Sequence, residues 1–364
     1  MSIAPKTLVV GAGIAGAAAA TALLELGCEV ELRERALEPE GGHALLLLGN
    51  GLRALEELGL LEAVLARGAR IEGASIRDGA GRASHEEPLP RCVAIARADL
   101  AEALSSRLRE ARLVRGSRLV ELVLDEEGSA RAARFDDGAE LEVDLVCGCD
   151  GGRSLVRKHV APFARRDPGQ VHELVLLFDD PALARRLGST LAKAHDLARG
   201  LAAGLSPVGG GRVVLWLQFD TARHMPRGDG ARELREFALE RVRRFGADFA
   251  AAASGGDFGR AHWWRTCDAA PLARFHRGGA VLMGDAAHPF LPFTSQGANM
   301  ALVDALRLQR ALLRARRLED ALLAYDRATR PDAVAHHAAG RALERHFVAG
   351  SREIATLPRS EAVG

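Results

Sequence analysis

The chain has 364 residues, long enough for two domains or one large interleaved one, and 48% of them are hydrophobic against 27% charged. A formal net charge of +1 leaves no face dominated by Lys and Arg, which argues against nucleic acid or an anionic membrane as partner. No apolar run approaches the roughly 20 residues that span a bilayer, so membrane insertion is excluded.

Met1 to Pro5 lacks the basic start of a signal peptide, and a cytoplasmic protein is expected. Thr7 to Val10 reads as a short buried strand. Gly11, Gly13 and Gly16 follow at once in Gly-Ala-Gly-Ile-Ala-Gly, then comes an Ala- and Leu-rich helix to about Leu26. Glu29 to Glu34 is a second strand and completes a βαβ unit. Each glycine serves a physical need: Gly11 the tight turn, Gly13 the close approach of backbone to a pyrophosphate, Gly16 the packing of helix on strand. Glu34 ends the second strand, where a carboxylate takes both ribose hydroxyls of an adenosine and repels a 2′-phosphate. The glycine pattern alone is weak. Strand, glycines, helix, strand and acid in order and at this spacing point to a dinucleotide.

Gly41-Gly42 breaks the chain, and Leu45 to Leu48 reads as a buried strand or turn. Gly51 to Ala66 has the pattern of one amphipathic helix, with a C-cap at Gly59 or Gly68. Ile71 to Arg77 and the stretch after Asp78-Gly79 form a hairpin excursion, and Val93 to Ala96 returns as a strand. Asp99 stands where it can cap a helix from Leu100 to about Arg109, with Arg97 just ahead. Arg118–Asp125, Ala130–Phe135 and Ala139–Val143 read as a three-strand meander turning at Asp137-Gly138.

Leu145 to Cys147 is a strand that opens into Gly148-Cys149-Asp150-Gly151-Gly152-Arg153-Ser154, where the glycines allow close approach to phosphate and Ser154 caps a helix. Cys147 and Cys149 share one strand face with no second pair beside them. With five Cys in the chain, buried thiols are expected, and neither a disulfide framework nor a zinc site. Beyond Asp167, Val171–Phe178, Gly200–Leu205 and Arg212–Phe219 are strand-like, separated by a helical Pro181–Leu197 and the turn at Val208 to Gly211. Arg232–Phe249 reads as one amphipathic helix. Asp320–Arg352 is mostly helical, interrupted or restarted at Pro331.

Before that last helical stretch, the strand Ala280–Met283 leads into Gly284-Asp285-Ala286-Ala287-His288-Pro289 and on to Gln296-Gly297-Ala298-Asn299, where another helix begins. A carboxylate at a strand end, a Pro-containing loop and fresh helix amides make a site for a polar ligand with an anionic part.

With its three motifs in this order, the chain resembles the single-component FAD-dependent aromatic hydroxylases, the family of para-hydroxybenzoate hydroxylase. The resemblance covers nearly the full length. It implies an α/β fold: a Rossmann-like, glutathione-reductase-like FAD-binding domain with an inserted mixed β-sheet substrate domain and a C-terminal helix. The implied division is 1-70, 92-166 and 269-318 for FAD, 71-91 and 167-268 for substrate, and 319-364 for the helical segment. It further implies non-covalent FAD held by Gly11, Gly13, Ile14, Ala15 and Gly16 at the pyrophosphate and by Glu34 and Arg35 at the adenosine ribose. Arg97 would reach the ribityl-pyrophosphate region, Val120 the adenine, Asp150 the second motif's share of the cofactor, and Gly284 and Asp285 the ribityl hydroxyls. Pro292, Gly297, Ala298 and Asn299 would border the isoalloxazine ring. NAD(P)H would visit as a transient reductant, and O2 would give one oxygen atom to the substrate through a flavin hydroperoxide. One departure stands out: the family often has glycine where Ser295 stands, and serine is costly there if its backbone is left-handed.

For substrate chemistry, His43 is the candidate base, with His172 and His224 in or beside the middle layer and His288 a structural hydrogen-bonder. Trp216 and Gln218 project to one strand face and, with Phe293, are candidate pocket residues, while Trp263-Trp264 suit the domain junction. Few Arg or His can be placed in the pocket, and its strands look apolar. The expectation is therefore an aromatic or polyketide-like substrate over a small charged acid, in a monomer or homodimer. Three other readings compete. A halogenase would need a well-placed Lys, and none is apparent; a reductase or dehydrogenase of the same fold would incorporate no oxygen; a non-catalytic flavin-binding partner protein would show no NAD(P)H turnover.

Overall fold

Every residue of the strand Thr7–Val10 is buried, and its neighbours explain why. It pairs in parallel with Val30–Glu34 on one side and Leu145–Gly148 on the other. Ala280–Leu282 continues the sheet in parallel beyond Leu145–Gly148, and Arg112–Arg115 beyond Val30–Glu34, with His276–Arg277 antiparallel at one edge. A parallel sheet needs both faces covered. The helix Ile14–Leu24 supplies one cover, and its residues from Gly16 to Leu23 are all buried because Gln296–Arg314 packs on its far side. An Ala-rich helix, apolar all round, is what that sandwiched position requires. This computed structural model describes residues 4–38, 43–108 and 111–350; the chain break expected at Gly41-Gly42 lies outside them, as do residues 351–364.

The second sheet has eight strands, in the spatial order His262–Trp264, Val171–Asp179, Arg212–Asp220, Leu201–Gly209, Thr190–Asp196, Ala69–Arg77, Ala83–Ala96, Ala44–Leu47. It is mixed: Thr190–Asp196 runs parallel to Ala69–Arg77, and the other pairings are antiparallel. One face carries Leu174, Leu176, Ala192, Ala194, Leu215 and Leu217 into a core closed by the helices Pro181–Leu187, Ala231–Val242 and Ala247–Gly255. The opposite face looks toward the loop around Phe293 and the last helix. The expected meander is present as Leu119–Leu124, Ala130–Phe135 and Glu140–Glu142, with Gly138 at φ +84° in its turn.

Several elements differ from the sequence reading. Pro181–Leu197 is not one helix: the helix ends at Leu187, Gly188 takes a positive φ, and Thr190–Asp196 is a strand. Arg232–Phe249 is broken at Gly246, whose φ of +125° no helix accommodates. Gly51–Ala66 likewise divides into Gly49–Glu57 and Leu61–Leu65, around Gly59 at φ +64°. Val93–Ala96 is not a separate strand but the end of the 14-residue strand Ala83–Ala96. Asp99 does not cap its helix, which starts at Arg97 with Ala96 before it; its carboxylate pairs instead with Arg212. Pro331 does not interrupt the last helix, which runs unbroken over Leu318–Ala349.

That helix touches both sheets. Tyr325 Oη, fully buried, donates to the Leu282 carbonyl at 2.9 Å, beneath the parallel sheet. Glu344, 1% exposed, accepts the amides of Gln170 at 2.6 Å and Val171 at 3.2 Å, where the eight-stranded sheet begins. Arg341 ties Glu344 to the buried Asp268, so these carboxylates are enclosed with their partners.

Asn299 performs the same kind of work at the other junction. Its Oδ1 accepts the Leu48 amide at 2.8 Å, and its Nδ2 donates to the carbonyls of Leu46 at 2.9 Å and Ser295 at 2.6 Å. The side chain thus staples strand Ala44–Leu47 to helix Gln296–Arg314. Ser295, just before that helix, has φ +52° and ψ +24°, so the left-handed condition for strain is met. Replacing Asn299 by Ala leaves a buried amide and carbonyl without partners. It is expected to lower the unfolding free energy in urea by ~2–4 kcal/mol with the denaturant slope unchanged. Ser295→Gly is expected to raise it by about 1 kcal/mol.

Candidate active site

The three glycine-bearing motifs sit on the C-terminal ends of three adjacent strands: Ala280–Leu282, Leu145–Gly148 and Thr7–Val10. Glu34 closes the next strand along. In an open parallel sheet this edge is where ligands bind. The motifs also touch. A β-carbon on Gly11 would meet the Cys149 carbonyl oxygen at 2.5 Å, and one on Gly284 would meet Ala15 Cβ at 2.8 Å. Arg157, buried, donates to the carbonyls of Asp285 and Ala286 at 3.0 Å each and to that of Gly152, locking the second motif to the third.

Four observations fit this edge to the FAD that the sequence resemblance implies. Space within 4 Å of a β-carbon on Gly13 is empty, so this glycine, unlike Gly11 and Gly16, is not needed for packing and leaves room for an approaching group. Helices Ile14–Leu24 and Gln296–Arg314 both begin without a side-chain cap, leaving first-turn amides and the positive dipole end for an anion. The buried Oδ1 of Asp150 has no protein partner, while its Oδ2 accepts the Leu155 amide at 2.6 Å. Asp285 is exposed, with Oδ1 3.9 Å from where a β-carbon of Gly297 would stand, beside the start of the second helix.

Other expected residues are placed with more constraint. Both Glu34 oxygens accept backbone amides, Ala12 at 2.8 Å and Ala36 at 2.9 Å, which fixes the carboxylate at the strand end. Arg35 is exposed next to it. Val120, 52% exposed, is the extra residue of a bulge between Leu119 and Glu121. Gly297 and Ala298 are half-buried, but Asn299 is fully buried with its amide committed to the staple, so only its backbone is left to face a ligand. Beneath the Asp285 loop, His288 Nε2 lies 2.8 Å from Asp304 Oδ2, which also takes the Gly284 amide at 2.8 Å. Burial opposes the His288 charge, but the Asp304 carboxylate outweighs it and raises the imidazole's pKa. His288 is the structural hydrogen-bonder that its sequence setting suggests.

His43 is poorly suited as a base. Its Nδ1 lies 3.3 Å from the Ala44 carbonyl and its Nε2 3.4 Å from an Arg97 guanidinium nitrogen. Burial, then the Arg97 charge, push its pKa down to about 4. The ring stacks 6.5 Å from Trp264, while Trp263 packs into the helix-covered core of the mixed sheet and not at a junction. His172 points to the helix-covered face, against Phe219 and Trp263, and His224 bonds the Arg199 carbonyl.

The open face of the eight-stranded sheet carries Trp216 and Gln218 and packs against Phe293, Leu343 and Phe347, leaving a cavity of about 10 Å³, room for about one water. Its apolar character is not borne out. Lys193 and His195 also line it, and Gln218 Nε2 donates to Glu173 Oε2 at 2.7 Å. Sequence reading missed Lys193, His195 and Glu173 because the first two lie in the strand it took for helix. The alternation of Leu191, Lys193 and His195 between alanines was the available signal.

The described residues contain no His, Cys, Asp and Glu group able to hold a metal and no helix long and apolar enough to cross a membrane. The described cysteines are free, and Cys147 and Cys149 are buried thiols.

Comparison with known proteins agrees with this geometry. Residues 5–339 match the FAD binding domain family. The chain is 33% identical to 3-amino-4-hydroxybenzoate 2-monooxygenase of Streptomyces cremeus, over 94% of this chain and 87% of that protein. It superposes on PqsL of Pseudomonas aeruginosa, a probable FAD-dependent monooxygenase, with a TM-score of 0.81 at 26% identity, covering 96% and 98% of the two chains. Klebsiella pneumoniae HpxO in complex with FAD and uric acid shares the fold, with a TM-score of 0.84 at 23% identity over 96% and 89%. An FAD-binding Rossmann-like layer with an inserted mixed sheet is thus joined to a shared family sequence: the chain belongs to the single-component FAD-dependent aromatic hydroxylases, and is an FAD-dependent monooxygenase.

Proposed function

We propose that the chain hydroxylates, or epoxidises, an aromatic or polyketide-like small molecule, with NAD(P)H as transient reductant and O2 as oxygen source. The observation that carries this reading is the strand edge with its open space beside Gly13 and two uncapped helix starts, suited to a dinucleotide, with the loop of Phe293 leading from it onto the open face of the mixed sheet. The Streptomyces relative acts, by its name, on a substituted benzoate, which favours an aromatic ring here too. When bound, FAD supplies the redox chemistry, accepting reducing equivalents from NAD(P)H and passing oxygen from O2 to the substrate.

The chain's own residues bind, orient and enclose. In this reading Gly11, Gly13, Ile14, Ala15 and Gly16 hold the pyrophosphate, Glu34 and Arg35 the adenosine ribose, and Val120 lies by the adenine. Arg97, kept in place beside His43, reaches toward the ribityl-pyrophosphate. Asp150, Gly284 and Asp285 take the middle of the molecule, with Asp285 on the ribityl hydroxyls. Pro292 and the backbone of Gly297, Ala298 and Asn299 border the ring, where the uncapped helix start favours negative charge at the pyrimidine edge. Phe293, Leu343 and Phe347 pack over the open face of the mixed sheet and shield it from water. A glutathione-reductase-like FAD-binding domain is then formed by 1-70, 92-166 and 269-318, with 71-91 and 167-268 as the substrate domain.

Two measurements test the reading. The purified protein should be yellow or become so with FAD, and Asp285→Ala should weaken FAD binding ~10–100-fold, the loss of charge-assisted hydrogen bonds. Colourless protein after soaking in excess FAD would overturn it. With a turned-over aromatic substrate, heavy-isotope O2 should place one labelled atom in each product molecule. Unlabelled product would leave only the reductase chemistry of this fold.

A further inference from the structure

The helix-covered face of the mixed sheet encloses a second, larger space, and none of the three motifs contributes to it. Its volume is about 180 Å³, and its floor is Ala192 and Leu205, which pair across the strands Thr190–Asp196 and Leu201–Gly209. Leu187, Phe245 and Phe249 form the walls, the two rings meeting edge to face with centroids 5.9 Å apart. A cavity of about 150 Å³ is enough to enclose benzene, so a single ring or a short branched chain fits here. Leu187 is half-buried and Ala247 exposed, so the space opens to solvent at that corner.

One end of this space is suited to negative charge. Arg77 closes the strand Ala69–Arg77 and lines the cavity, and its Nε is buried without a hydrogen-bond partner. A β-carbon on Gly246 would stand 3.8 Å from Arg77 Nη1, so the guanidinium lies at the corner where the helix Ala247–Gly255 begins. That helix starts without a side-chain cap, and Gly246 to Phe249, its first turn, line the same space. A guanidinium fork and the positive dipole end of a helix are thus offered at one place. The other charges nearby are matched. Asp248 pairs with Arg186 at 2.7 Å and Arg244 with Asp196 at 2.8 Å, and among the described residues no carboxylate lies within 4 Å of Arg77.

We propose that this cavity is a second ligand site, separate from the oxygenation site, for a small monocarboxylate with an apolar body. Arg77 and the first turn of Ala247–Gly255 hold the carboxylate, and Leu187, Leu205, Phe245 and Phe249 enclose the rest. One negative charge answers one guanidinium; a second would meet the Asp248 carboxylate in the lining. The volume limits the body to a single ring or a short branched chain. The sheet itself separates this site from the open face, because Ala192 and Leu205 point into the helix-covered core. Gly246 has a part in both fold and site: its φ of +125° ends one helix and starts the next, and its missing side chain leaves the corner to the Arg77 guanidinium.

The test uses FAD-loaded protein and two probe pairs: 4-methylpentanoate with 4-methylpentanamide, and cyclohexanecarboxylate with cyclohexanecarboxamide. Binding is read by isothermal titration calorimetry, with flavin absorbance recorded alongside. No probe is aromatic and no readout needs turnover, so a failure of oxygenation would sink the proposed activity without deciding this point. In the wild type at least one acid should bind about tenfold or more tighter than its amide, with the flavin spectrum unchanged. Arg77→Met should bring that ratio to about one through loss of acid binding alone, with Arg77→Lys keeping part of the preference. Ala192→Leu, which fills the floor of the cavity, should remove binding of acid and amide together. Where one of these variants does not fold with FAD, the wild-type ratio and the other variant decide. Equal wild-type affinities, no binding of either acid up to about 10 mM, a preference surviving in Arg77→Met, binding surviving in Ala192→Leu, or a shift of the flavin spectrum would overturn the proposal.

Discussion

The cofactor side of this molecule depends on backbone being able to touch backbone. Gly11 lies against the Cys149 carbonyl, Gly16 against that of Gly11, and Gly284 against Ala15, at separations that no side chain permits. Because these contacts are made, three strand ends drawn from opposite parts of the chain form one continuous edge. Arg157 then fixes the edge from below by binding the carbonyls of the Asp285 loop. Gly13 is the exception that gives the edge its purpose: nothing in the protein requires its bareness, and open space lies beside it. Packing explains its neighbours, and ligand approach explains it.

The polar groups beneath and opposite this edge divide into two kinds. Under the cofactor loop, Asp304 Oδ2 bonds both His288 Nε2 and the Gly284 amide, and Glu344 has two amides and an arginine. Those clusters hold backbone in place. On the open sheet face, Lys193 and His195 are only half-buried; Glu173 and Glu87 attract Lys193, and neither ring nitrogen of His195 has a protein partner.

Much of the cofactor side could be read from the sequence because its signals are local. A buried strand, three glycines and a terminal acid leave a pattern within about 30 residues, and the other two motifs are as compact. The substrate side could not be read in the same way, and Thr190–Asp196 shows why. Its core-facing positions are Ala192 and Ala194, which favour helix, and its other face carries Lys193 and His195 where a strand normally shows apolar residues. The residues that equip the cavity are the ones that disguise the strand. Gly59 was one of two C-caps the sequence offered, whereas the break at Gly246 was missed for a related reason: an amphipathic pattern continues across a corner when both arms face the same core. Asn299 was legible as part of a motif but not as a staple, since its partners Leu46 and Leu48 lie far away in the chain, 253 and 251 residues upstream.

The helix Leu318–Ala349 passes from one sheet to the other without a joint, even at Pro331. Tyr325, near its start, is anchored beneath the strand that leads to Asp285; Leu343 and Phe347, near its end, close over the cavity. Pinned at one end by Tyr325 and at the other by Glu344 and Arg341, the helix is a strut, so the spacing between the cofactor edge and the open face of the mixed sheet is set by one rigid element.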